Sequence, residues 1–182
     1  MKLYPIETGN FKLDGGAMFG VVPKTIWQRT NPADANNLID IAARSLLIED
    51  GNRLILIDTG MGDKQSDKFF GYYYRWGDFT MDKSLEQLGF HRDDITDVFM
   101  THLHFDHVGG LGIKEGDQTT PLFTKAKVHL HQDHHQYALA PTPRDGGSFH
   151  SHEFGPLLDY YKSKNQLAFL SGNQGELIPE LG

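Results

Sequence analysis

The chain has no cysteine. Disulfides and thiolate metal sites are therefore excluded, and any bound zinc has to be held by histidine and carboxylate. Positive charge is also scarce: 17 Lys and Arg stand against 24 Asp and Glu, a formal net charge of −7. Nucleic acids and anionic membranes call for a basic surface, so neither is expected as a partner. No apolar run approaches the roughly 20 residues of a membrane span. Met1-Lys2-Leu3-Tyr4-Pro5-Ile6 lacks the apolar core of a signal peptide. The expected location is cytoplasmic. There is no internal repeat and no low-complexity tract. A length of 182 residues reads as one domain, and 12 phenylalanines within 38% hydrophobic residues allow a sizeable core.

Histidine is what the chain does have. Three of its ten histidines share six positions with an aspartate, in Thr101-His102-Leu103-His104-Phe105-Asp106-His107-Val108-Gly109-Gly110. The preceding Val98-Phe99-Met100-Thr101 reads as a buried strand. A strand that ends in imidazoles and then glycines suggests a site at its carboxyl end. Neutral imidazole and carboxylate are donors that zinc accepts. Alternate residues of an extended segment point the same way, so His102 and His104 can share one face and one ion. Asp106 and His107 follow where the chain turns and can serve a second ion. Two ions close together can hold a hydroxide and clamp the attacked and leaving oxygens. Gly109 and Gly110 are expected to let the backbone turn sharply behind the ligands.

His-x-His-x-Asp-His followed by glycines resembles the metallo-β-lactamase superfamily of metallohydrolases. The resemblance implies an α/β fold, an αββα sandwich of two sheets with helices outside. It implies that His102 and His104 bind one metal, that Asp106 and His107 bind the second, and that Asp106 is also catalytic. The implied cofactors are two divalent ions, zinc first, with manganese or iron compatible with the same donors. A second stretch supports the likeness. Arg53-Leu54-Ile55-Leu56-Ile57 is apolar on both faces, follows an Asp50-Gly51 hairpin signal, and ends in Asp58-Thr59-Gly60-Met61-Gly62. In the family an aspartate placed like Asp58 hydrogen-bonds near the metal loop without binding metal. On its own it also reads as a strand-ending Asx turn. The motifs most resemble acyl-homoserine lactonases and methyl-parathion-type hydrolases. They imply a metal-bound hydroxide acting on a small-molecule lactone, ester or phosphotriester.

Elsewhere the patterns are mostly local. Gly15-Gly16 between two apolar runs predicts a hairpin. Phe69 to Gly77 is rich in aromatics without a clear period, and reads either as a pocket wall over the metals or as ordinary loop packing. Thr80 to Leu88 predicts a helix capped by Thr80 and stopped by Gly89. Leu111 to Thr120 reads as loop. Ala126 to His131 predicts a strand with Val128 and Leu130 inward and His129 and His131 toward solvent. Gln132 to Ala140 predicts a helix ended by Pro141. Pro156 to Asn165 predicts another, with proline in its first turn. Gln166 to Leu170 reads as a strand, with Glu176-Leu177-Ile178 pairing back.

The chain departs from the family at one point. The family completes its site with a histidine in a Gly-His-Thr or Gly-His-Ser turn, a bridging aspartate and a last histidine. No such turn occurs here. The sequence therefore reads as the amino-terminal part of an incomplete fold. Three consequences are expected. Metal binds weakly or substoichiometrically, unless His129, His131, His134, His135, His150 or His152 replaces the absent ligands. The strands 54–57 and 98–100 lie partly uncovered, which favours a homo-oligomer. Besides a hydrolase, a catalytically inactive remnant serving as a binding or dimerising domain fits the same residues.

Overall fold

The computed structural model describes residues 1–116 and 118–172. Strands β1 (Lys2–Asp14) and β2 (Leu38–Asp50) pair antiparallel, with a register shift between Glu7 and Asn10. β2 turns into β3 (Arg53–Ile57) through Gly51, whose φ of 59° suits glycine. β3 pairs in parallel with β4 (Asp97–Met100), β4 with β7 (Lys127–His131), and β7 with β8 (Leu167–Leu170). The result is a six-stranded mixed sheet in the order β1-β2-β3-β4-β7-β8. β5 (Gly112–Glu115) and β6 (Gln118–Pro121) form a separate antiparallel pair. Short helices α1 (Gly15–Phe19), α2 (Lys24–Trp27), α3 (Asp67–Gly71) and α5 (Phe105–Val108) sit in the connections.

Parallel neighbours need crossovers, and helices supply them. α4 (Met81–Gln87) joins β3 to β4, while α6 (Gln132–Leu139) and α7 (Ser151–Ser163) lie between β7 and β8. The Thr80 hydroxyl accepts the Lys83 N–H and caps α4, and Gly89 at φ 81° ends it. Both were legible in the sequence. One sheet face carries Leu54, Leu56, Val98, Met100, Val128 and Leu130. It packs with Met81 and Leu85 of α4 and with Phe154, Leu157, Leu158 and Tyr161 of α7.

The other face holds a buried polar group. Asp97 Oδ1 is 2.7 Å from His129 Nε2 and 3.0 Å from an Arg53 guanidinium nitrogen. Burial alone would raise the Asp97 pKa, but hydrogen bonds from His129, Arg53 and Thr96 outweigh it and bring it to about 2.

The α/β class agrees with the sequence reading, and several local expectations do not. Gly15-Gly16 opens α1 instead of a hairpin, because β1 stays paired with β2 as far as Asp14, whose carboxylate then caps the helix at Ala17 N–H. Residues 112–121 hold the β5–β6 pair, where weak apolar content had suggested loop. His129 is buried, since β7 is an inner strand covered on both faces. α7 starts at Ser151, which puts Pro156 inside the helix. Its missing N–H would have bonded the carbonyl of His152, an exposed residue. Leu54, Ile55, Leu56, Val98 and Met100 are all at most 6% exposed. α7 joins α4 on the face of Leu54, Leu56, Val98 and Met100, while Ile57 and Phe99, which alternate onto the opposite face, are only half-buried. The expectation of partly uncovered strands, on which the homo-oligomer rested, is thus met on one face and not on the other. The expected strand at 176–178 lies outside the described residues. Among the described residues, no helix is long and apolar enough to cross a membrane.

Replacing Asp97 by Asn should lower stability by about 3–5 kcal/mol, because it breaks a buried charge group one-sidedly. Urea unfolding of Asp97→Asn beside the parent chain measures this. A change below about 1 kcal/mol would show that the group is not structural.

Candidate metal centre

The site is built where β3 and β4 end side by side. Past Ile57 the chain enters the left-handed region at Asp58, φ 57°, a conformation aspartate tolerates better than most residues. The Asp58 N–H still donates to Phe99 O at 2.9 Å, so the residue stays anchored to β4. Its carboxylate then turns toward the loop that follows β4. Oδ1 accepts the Thr101 N–H at 2.8 Å. Oδ2 accepts the Thr101 hydroxyl at 2.6 Å and faces His107 Nδ1 at 2.8 Å.

These bonds decide where two imidazoles carry their protons. A carboxylate oxygen only accepts, so His107 Nδ1 carries a proton, and Nε2 is bare whenever the ring is neutral. Thr101 has one hydroxyl proton, and Asp58 takes it. The contact of 3.0 Å between Thr101 Oγ1 and His102 Nδ1 is therefore a donation from the ring, which leaves His102 Nε2 bare as well. One carboxylate thus sets the tautomer of His107 directly and of His102 through a hydroxyl.

Two glycines hold this loop against the one after β3. A Cβ on Gly109 would lie 1.9 Å from Met61 O, and one on Gly110 would lie 2.1 Å from Thr59 O. Neither glycine has a positive φ. The sharp turn read from the sequence is thus corrected: these glycines permit close approach of two backbones. The contact is closed by Thr59 N–H and Oγ1–H on His107 O, both at 2.8 Å, and by Gly110 N–H on Gly60 O at 3.1 Å. The Lys64 ammonium donates to Gly109 O, and burial lowers its pKa.

Alternation along residues 102–105 works as the sequence suggested. Leu103 and Phe105 are buried, while His102 and His104 are half-buried in the cleft. The His102 ring centroid is 4.5 Å from that of His104 and 3.8 Å from that of His107. Asp106 Oδ2 lies 3.7 Å from His107 Nε2. Asp58, His102 and His107 offer ligand atoms within 4.8 Å of one another. His102 is thus closer to His107 than to the partner first assigned to it. This donor set of two imidazoles and one carboxylate fits zinc or a similar divalent ion, while His104 and Asp106, expected as ligands, belong to no group this close among the described residues.

Of the other histidines named as replacements, His134 reaches this group, with its ring 6.1 Å from that of His102. His129 is bound to Asp97, His131 caps α6, His135 packs on Phe169, and His150 stacks on Phe105. His152 is exposed. Thr101 and His134 are the residues whose roles the sequence reading missed. A threonine after a strand and one of two adjacent helical histidines carry no special signal on their own.

The aromatic segment reaches the site's edge. Phe69 and Tyr73 pack on Phe105, at 5.2 and 4.8 Å between centroids, and Phe149 packs edge-on against His104 at 4.6 Å. A cavity of about 350 Å³ lies behind the loop, lined by Phe11, Thr59, Met61, Trp76, Phe79 and Gly110 among others. None of the clustered histidines lines it.

Burial depresses the basicity of His102 to a pKa of about 4, helped by the neighbouring His107 and His104. Burial also lowers the pKa of His104. For His107 burial acts the same way, but the bond to Asp58 and the charge of Asp106 overcome it and raise its pKa.

Residues 40–115 match the metallo-β-lactamase superfamily. Over 141 residues the chain is 27% identical to N-acyl homoserine lactonase AiiB of Agrobacterium fabrum, covering 72% of this chain and 47% of that one. A crystal structure of a probable metal-dependent hydrolase from Staphylococcus aureus superposes with a TM-score of 0.85 at 30% identity, over 98% of this chain and 61% of that one. The dizinc quorum-quenching lactonase AidC superposes with a TM-score of 0.66 at 26% identity, over 96% and 59%. The chain therefore spans about half to three fifths of the length of these relatives.

Two outcomes follow from this geometry. With chelator present, the depressed His102 takes up its proton in the unfolded chain near pH 6.5 but in the folded chain only near 4. Its contribution to stability is complete above the first value and lost as pH falls through the second. Melting temperatures between these limits should fall less steeply with acid in His102→Ala than in the parent, and an unchanged slope would refute the assignment. Gly110→Ala should disrupt the loop contact, seen as a large loss of melting temperature. A melting temperature within a degree of the parent's would show that the two backbones are free to part.

Proposed function

We propose that the chain is a metal-dependent hydrolase of the metallo-β-lactamase superfamily, a reading that the match of residues 40–115 and the likeness to a probable metal-dependent hydrolase support, with ions held by His102, His104, Asp106 and His107. We assign Asp58 the role of orienting the ligands. The observation that supports this reading is the grouping of His102 and His107 beside Asp58, with ligand atoms within 4.8 Å of one another and with Nδ1 of both rings held by bonds that run to Asp58, directly or through Thr101. Metal-binding histidines are ordinarily held this way, with the second nitrogen bonded to a carboxylate or similar acceptor.

When bound, a pair of divalent ions supplies Lewis acidity and an activated oxygen nucleophile at neutral pH. The residues of this chain do the rest of the work in the cleft. His102 and His104 are neutral near pH 7 because burial suppresses their protonation, so no proton has to leave before they bind a cation. Asp106 brings negative charge beside His107 and is the group we place nearest the reacting atoms. Phe69, Tyr73, Phe105 and Phe149 give the site an apolar border suited to excluding water. We propose a lactone, ester or phosphotriester as substrate. The lactonase relatives AiiB and AidC support the first of these.

Four donors give two ions at most two protein ligands each, fewer than the three usual in catalytic zinc sites. We therefore expect zinc to be substoichiometric after purification and to bind on titration. Asp58→Asn should weaken zinc binding about 10–100-fold while the chain stays folded. Competition against a chromophoric chelator, with hydrolysis of a lactone, an ester and a phosphotriester followed in parallel, tests both parts. A parent chain that takes up no zinc would overturn the metal centre. A chain that takes up zinc but cleaves none of the three would leave a binding domain.

A further inference from the structure

Residues 101–104 cross from β4 to α5 without regular backbone partners. Leu103 sits in the middle of this crossing and is fully buried, so its N–H needs an acceptor. The acceptor is His134 Nε2, at 2.8 Å. Because this nitrogen accepts, it carries no proton, and the ring proton is on Nδ1. His134 stands in the first turn of α6, where the His131 side chain accepts the Asp133 N–H and fixes the start of the helix. Phe149 packs against both His104 and His134, at 4.6 and 5.8 Å between centroids.

We propose that His134 is a positioning residue for the metal centre. It holds the backbone between His102 and His104 by accepting the Leu103 N–H, and it is not itself a ligand. The reasoning is geometric. Leu103 is the one residue separating the two imidazoles, so the orientation of its peptide plane sets the angle between them. The Nε2 lone pair, which a metal would need, is already committed to that plane. A histidine used as a brace is therefore consistent with the position of His134 at the edge of the cluster, 6.1 Å from the His102 ring. This inference rests on the metal-centre reading for its consequence, but the bond itself can be tested without metal.

Two measurements separate the bond from its consequence. In the metal-free chain, nitrogen NMR should show His134 protonated on Nδ1, and the Leu103 amide should exchange slowly. His134→Ala should expose that amide to fast exchange and shift the ring resonances of His102 and His104. His134→Gln should restore slow exchange, because its amide oxygen can reach the place of Nε2, and His134→Asn, one carbon shorter, should not. In the chelator competition, His134→Ala should lose about tenfold in zinc affinity, while His134→Gln stays close to the parent. Equal affinity in parent and His134→Ala, with both folded, would overturn the proposal. So would loss of one metal-coordinating nitrogen in the alanine variant by X-ray absorption, which would make His134 a ligand. If the parent binds no zinc, the metal-centre reading fails. The exchange data then decide the brace alone: slow exchange restored by glutamine sustains it, and fast exchange in the parent sinks it.

Discussion

The arrangement of the cleft depends on one carboxylate. Asp58 has two oxygens and serves three donors from the loop after β4: the Thr101 N–H, the Thr101 hydroxyl and His107 Nδ1. Each bond is to a charged acceptor in a partly water-excluded place, where such bonds are stronger than neutral ones. The consequence for chemistry is preorganisation. Two rings are oriented and their protons assigned before any cation arrives, so less reordering remains for the binding step. The backbone contributes as well. A left-handed residue directly after a strand swings the side chain off the sheet and across to the neighbouring loop. The packing of Gly109 and Gly110 on Met61 and Thr59 then keeps that loop in range.

Much of this was legible in the sequence, for reasons that can be named. The His-x-His alternation is a property of extended backbone and survives in any fold, which is why His102 and His104 could be placed on one side of the chain in advance. Asp50-Gly51 and Thr80 announce a turn and a cap through local chemistry, and both occur where expected. Failures came where tertiary partners decide. Val128-His129-Leu130 alternates like a half-exposed strand, yet two parallel neighbours bury all three residues. Residues 112–121 have little apolar content and form strands by pairing with each other. The adjacent glycines suggested conformational freedom. Their actual role, leaving room for a second backbone, is invisible without knowing that Met61 and Thr59 lie there. His134 could not be distinguished from His135, since only the placement of α6 tells which one meets Leu103.

The site also combines opposite electrostatic tendencies. Burial keeps His102 and His104 neutral, while Asp58 and Asp106 favour charge on His107. A cluster of three imidazoles this close cannot accumulate protons without mutual repulsion. Supplying negative charge to one of them lets that ring share a cleft with two neutral ones. The same carboxylates favour a cation beside the cluster, where burial keeps His102 and His104 free of protons.

The Arg53–Asp97–His129 group bears on a different matter, the fidelity of strand pairing. β3, β4 and β7 are four or five residues long and dominated by aliphatic side chains. Sliding one such strand by two residues would keep the same side chains on the same faces, so hydrophobic burial alone discriminates weakly against it. The three polar residues come one from each strand and meet on a single face. A two-residue slip of any one of these strands would break at least one of the bonds to Asp97, and Asp97 and His129 are buried, so the loss is costly. The group thus acts as an index mark for the assembling sheet. It penalises the misaligned forms, and so keeps the carboxyl ends of these strands level where the cleft is built.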